Sequence, residues 1–140
     1  MATRQDFTDD EFATLQRGLT GSGMLVSLSD RDFSDSFGEA SAISKYLAGQ
    51  QAAAPTALTR EIAKAKGTGF GLTTSPDKVV NGTLEALQAS IALLTTKAPD
   101  EVEPYRALVL GIAAVAAEAK SDTSPVEAQA TDRIREALGS

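Results

Sequence analysis

Apolar residues recur every three or four positions along most of this chain, which is the repeat of a helix with one buried face. The first such run, Phe12, Leu15 and Leu19, follows the segment FTDDEF. There Thr8 and Glu11 have the spacing of a capping box, and Phe7 and Phe12 that of a hydrophobic staple. The glycine-rich GLTGSG, residues 18–23, is expected to interrupt or bend this helix. A second helix is then expected over residues 22–29, burying Met24, Leu25 and Leu28. A third starts near Ser36, carries Phe37, Ala40, Ile43 and Leu47, and stops at GQQAAAP. A short fourth, about residues 56–66, offers Leu58, Ile62 and Ala65.

After the loop GTGFGLTTSP, Ser75 caps a fifth helix with Pro76 at its first position. Val80, Leu84, Leu87, Ile91 and Leu94 form its seam, and Lys97 and Pro99 mark its end. A sixth begins between Asp100 and Pro104, with Tyr105, Leu108, Ile112, Val115 and Ala119 inward. A seventh follows KSDTSP and places Val126, Ala130, Ile134 and Leu138 on one side, with Gly139 as its stop. No stretch alternates convincingly like a strand. The fold expected is all-α: a single domain over residues 1–140, a compact bundle of about seven helices with an approximate internal duplication.

The duplication is read from two stretches, residues 23–47 and 111–138. Gly23 and Gly111 each lie seven residues before an acid, Asp30 and Glu118. Six residues beyond each acid stands another capping box, Ser36 with Glu39 and Ser124 with Glu127. Asp32 and Asp122 fall in the two intervening loops.

Composition narrows the chemistry. The chain has 24 alanines among its 140 residues and only 5% aromatics, which favours closely approaching helices. It has no cysteine and no histidine, so thiol or imidazole catalysis, disulfides and zinc–thiolate sites are excluded. Any metal must be held by oxygen, which means Ca²⁺ or Mg²⁺. Thirteen basic residues against nineteen acidic ones give a net charge of -6, with the bases scattered singly, so neither nucleic acid nor an anionic membrane surface is an expected partner. The apolar run ALVLGIAAVAA is too short to span a bilayer. MATRQDFTDDEF lacks the apolar core of a secretory signal, so a cytoplasmic location is expected.

The acids of SDRDFSDSFGE pose the functional question. Glu39 and Glu127 are explained by capping alone, since a carboxylate favours the first turn of a helix. Asp30 and Glu118 are not, because they stand where helix carbonyls point outward and a carboxylate is disfavoured. A bound cation reverses that sign; so does a neighbouring base, and Arg31 and Lys120 are adjacent. A standard calcium loop counted from Asp30 fails, with Asp35 where glycine is required and Ser41 where glutamate is required.

The stretches GMLVSLSDRDFSDSFGEASAISKYL and YRALVLGIAAVAAEAKSDTSPVEAQATDRIREALG resemble the two helical units of the tellurite-resistance TerB-like family. The resemblance implies an all-α bundle, a bacterial stress-response setting, and acids that bind a metal. Carried over, the matching acids are Asp30 with Glu39 and Glu118 with Glu127. Where the family carries Asp-Gly, this chain has Asp30-Arg31 and Glu118-Ala119.

Other motifs have plainer explanations. Ser75-Pro76-Asp77-Lys78 fits an acylating S-x-x-K, but serves as cap and first turn. Gly67, Gly69 and Gly71 do not complete a dinucleotide or phosphate loop. Tyr46 and Tyr105 occupy core-like positions and are read as packing residues. The expected function is a non-enzymatic helical interaction module with an unidentified protein partner, modulated by a divalent cation on Asp30, Asp32, Glu39, Glu118, Asp122 and Glu127. The alternative is a small-ligand binder built around residues 67–74, and a third reading is a homodimer through Ala113, Ala116 and Ala117.

Overall fold

A computed structural model describes residues 4–28, 36–64, 76–118 and 125–139. Among these residues the fold is an all-α bundle of six helices: α1 (Asp9–Leu28), α2 (Ser36–Ala53), α3 (Ala57–Ile62), α4 (Pro76–Lys97), α5 (Val102–Glu118) and α6 (Pro125–Leu138). A single 3-10 turn, Pro99–Glu101, joins α4 to α5. No described residue lies in a strand.

α1 opens as its sequence predicts. The Thr8 N–H donates to Glu11 Oε1 at 2.8 Å, and the Glu11 N–H donates to Thr8 Oγ1 at 3.1 Å. Phe7 and Phe12 are both buried in the core. The same Glu11 oxygen receives Lys97 Nζ at 2.8 Å, which ties the start of α1 to the end of α4. Lys97 and then the Thr8 N–H hold the Glu11 carboxyl below the usual carboxylate range. Lys97 also stands 5.7 Å over the Phe7 ring, in range of a cation–π contact.

The expected break at residues 18–23 does not occur; α1 runs unbroken through it, so two predicted helices are one. The glycines are there for proximity. A Cβ on Gly18 would overlap the Tyr105 hydroxyl and come within 3.1 Å of Leu87 Cδ2. A Cβ on Gly23 would meet Ile43 Cδ1 at 3.1 Å and Ile112 Cδ1 at 3.3 Å. Helical glycine is disfavoured by roughly 1 kcal/mol relative to alanine, and here that loss is offset by close helix–helix contact.

Side-chain contacts set the helix directions. Tyr105 on α5 meets Leu15 and Gly18 on α1, and Ile112 meets Gly23, so α1 and α5 run parallel. α4 is antiparallel to α1: Leu87 faces Gly18, the Ser90 hydroxyl reaches the Thr14 carbonyl at 3.4 Å, and Lys97 reaches Glu11. α2 is antiparallel to α5, with Ile43 beside Gly23 and Tyr46 beside Gly111. α6 folds back along α5, and Arg106 Nε donates to the Leu138 carbonyl at 2.8 Å. Gly139, at φ +77°, ends α6 in the left-handed conformation that glycine adopts freely. α3 sits at this same end, beside the start of α5, with Leu58 and Ile62 fully buried.

The inward face of α4 is rotated slightly from the predicted seam. Leu87 and Leu94 are fully buried, whereas Val80, Leu84 and Ile91 are half-buried. The deepest stripe includes Thr83 and Ser90, both fully buried. Ser90 is satisfied by Tyr105 and Thr14; the Thr83 hydroxyl finds no partner among the described residues.

Two substitutions should therefore act against simple expectation. Gly18→Ala, which improves helix propensity, should destabilise the fold by about 1–3 kcal/mol through overpacking. Thr83→Val, which keeps the shape and removes the unpaired hydroxyl, should stabilise it by about 1 kcal/mol. Urea denaturation of the two variants beside the parent chain checks both signs.

Candidate functional site

The parallel pairing of α1 and α5 means that both finish at the same end of the bundle. α2 and α6, antiparallel to α5, start there. The acids singled out in the sequence belong to these four helix ends or to the segments between them. Glu118 is the last residue of α5, Glu39 lies in the first turns of α2, and Glu127 is the third residue of α6. The side chains of these three, and the whole of Asp30, Asp32 and Asp122, lie outside the described residues, as do Arg31, Lys120 and residues 67–74. Among the described residues no three acids form a group that could hold a metal.

Next to this end is a groove with a glycine on each wall. Gly23 of α1 and Gly111 of α5 each face a side chain from α2, and Gly23 also faces Ile112 of α5. Ile43 covers Gly23, and Tyr46 covers Gly111 so closely that a Cβ there would sit 2.7 Å from the ring carbon Cζ. The Tyr46 hydroxyl donates to the Leu108 carbonyl at 3.0 Å. Tyr105 repeats the arrangement one layer deeper. It lies over Gly18 and donates to the Leu15 carbonyl at 2.8 Å, with Ser90 Oγ at 3.3 Å. Each tyrosine thus fills a glycine notch and bonds the carbonyl three residues before it. This goes beyond the packing role expected for them. The signal was present in the sequence as Leu-x-x-Gly at 15–18 and at 108–111, two notches for two tyrosines.

The opposite end holds a buried carboxylate that the sequence did not single out. Glu101 is 4% exposed. The Thr56 hydroxyl donates to its Oε2 at 2.7 Å and accepts the Thr59 N–H at 3.1 Å. The Thr59 hydroxyl in turn donates to the Thr56 carbonyl at 3.0 Å and accepts the Thr56 N–H at 3.2 Å. Thr56 is therefore the cap of α3 and its link to the turn before α5. In sequence Glu101 is the middle of the acidic run DEVE and looks solvated; only the docking of α3 buries it.

On the face proposed for self-association, Ala113 is fully buried within the chain and is not available to a second copy. Ala116 and Ala117 side chains lie outside the described residues. Among the described residues no helix is long and apolar enough to cross a membrane. No family model, curated protein or solved structure matches this chain.

Burial pushes the Tyr105 hydroxyl well above its ordinary range, with Ser90 acting weakly in the other direction. The folded chain thus holds this proton more tightly than the unfolded one, where tyrosine titrates near 10. The resulting stability is full below that value and is lost as pH rises through the folded one. At alkaline pH, tyrosinate absorbance from Tyr105 should appear only together with loss of helical circular dichroism. In Tyr105→Phe that coupled step should vanish. Ionisation of both tyrosines with helix content intact would contradict the buried placement.

Proposed function

We propose that the chain is a non-enzymatic helical interaction module of the TerB-like type, acting in the bacterial cytoplasm in a stress-response setting. Its acidic end takes a divalent cation, and the cation tunes the surface offered to a protein partner. The ligands drawn on are carboxylates of Asp30, Asp32, Glu39, Glu118, Asp122 and Glu127. Oxygen donors alone suit a hard cation, Ca²⁺ or Mg²⁺.

The observation that carries this reading is the shared end of α1, α2, α5 and α6. Two helices finish there with outward carbonyls, and Glu118 closes one of them. Helix C-termini carry partial negative charge, so an added carboxylate is unfavourable unless a positive charge joins it.

Calorimetric titration with CaCl₂ and with MgCl₂, followed by thermal melts, tests the proposal. A cation at tenfold its Kd should add about 1.4 kcal/mol of stability. That corresponds to a melting-point rise of about 4 °C for a chain of this size. Glu118→Gln combined with Glu127→Gln should abolish the heat and the shift. The absence of both in the parent chain at millimolar cation would refute the cation role.

A further inference from the structure

We propose that α2 is a releasable strap, seated in the two-glycine groove by Ile43 and Tyr46 and able to lift away while the rest of the bundle stays folded. This goes beyond the cation reading and does not depend on it.

Three observations carry it. First, from residue 43 onward α2 sends only half-buried side chains inward: Ile43, Tyr46, Leu47 and Gln50. Its other residues through Ala53 are exposed. By contrast, α1 and α5 place Leu15, Leu19, Tyr105 and Ile112 fully inside. A stretch that buries little apolar surface, as residues 43–53 do, has a low free energy of local opening.

Second, the seat is specific. The Tyr46 hydroxyl crosses the Gly111 notch to a single carbonyl, Leu108, at 3.0 Å. Its deeper counterpart, Tyr105, has both the Leu15 carbonyl and Ser90. Among the described residues, lifting α2 breaks one side-chain hydrogen bond to α5 and the Gln51 Nε2 bond to the Ala63 carbonyl at 3.4 Å, and leaves the Tyr105 contact in place. The hinge falls where the chain passes from α2 into Pro55 and the capped start of α3, which Thr56 and Glu101 hold down.

Third, α2 carries a glycine that close packing does not explain. Gly18 and Gly111 each admit a neighbour too close for a Cβ, and Gly23 one at a tight 3.1 Å, but a Cβ on Gly49 would meet nothing within 4 Å. An exposed mid-helix glycine weakens the helix without compensation. Its effect is to lower the helical stability of a stretch, residues 43–53, whose described side chains are at most half-buried. Release uncovers Gly111, the Leu108 carbonyl and the adjoining face of Ile112, a notch already shaped for an aromatic hydroxyl.

Native-state amide hydrogen exchange on the full chain decides the matter. Amides of residues 46–53 should exchange at least tenfold faster than those of residues 15–23 and 106–113. Tyr46→Phe, which keeps the ring and removes the bond, should speed α2 exchange by about fivefold and leave α1 and α5 unchanged. Gly49→Ala should slow α2 exchange by about two- to fivefold, again without moving α1 or α5. Exchange of α2 in step with α1 and α5, or variants that shift all elements equally, would overturn the proposal.

Discussion

The structure depends on how closely α1 and α5 approach. Two helices held apart by ordinary side chains lie 8–10 Å between axes. Here Gly18 and Gly23 remove side-chain bulk from α1, so that Tyr105 and Ile112 can press against its backbone. The Tyr105 hydroxyl then finds the Leu15 carbonyl, a polar partner inside an otherwise apolar contact. A buried hydroxyl without such a partner is costly. The tyrosine, the glycine and the exposed carbonyl therefore form one unit, and none of them is explained without the other two.

From this pairing the other placements follow. α2 lies on one side of that pair, along Gly23 and Gly111, while α4 runs back along α1 and α6 back along α5. α3 is too short to pack as a bundle helix, and works instead as a plug whose cap reaches across to Glu101. The bundle consequently has two unlike ends. One is closed by α3 with buried leucine, isoleucine and a carboxylate; the other gathers two helix C-termini and the starts of three helices.

Much of this was legible beforehand. The all-α class, the capping box at Thr8 and Glu11, the end of α4 at Lys97, the start of α5 and the stop at Gly139 follow from local rules, and the structure agrees with each. What local rules misjudged was glycine. GLTGSG reads as a break because propensity counts only the helix itself, whereas its value lies on a neighbour 80–90 residues away in sequence. The same limit hid the buried Thr83 and Ser90, which a search for apolar periodicity passes over. Glu101 was invisible for a related reason, since an acid flanked by acids gives no sign that a remote threonine will cover it. The acids proposed as cation ligands are a different case. Their spacing along the chain is plain, but spacing does not fix where carboxylate oxygens converge.

The polar contacts that hold the first half of α1 to α4 and α5 span most of the chain. Thr14 meets Ser90 across 76 positions, Glu11 meets Lys97 across 86, and Leu15 meets Tyr105 across 90. Helical bundles ordinarily fold fast because their neighbours are also neighbours in sequence. This one is arranged so that its first helix must wait for its fifth. During synthesis α1 would leave the ribosome with its glycine-lined face bare, well before the tyrosine that covers it has been made. Joining α1 to α5 therefore carries the entropic cost of closing that long loop, which forming a single helix does not.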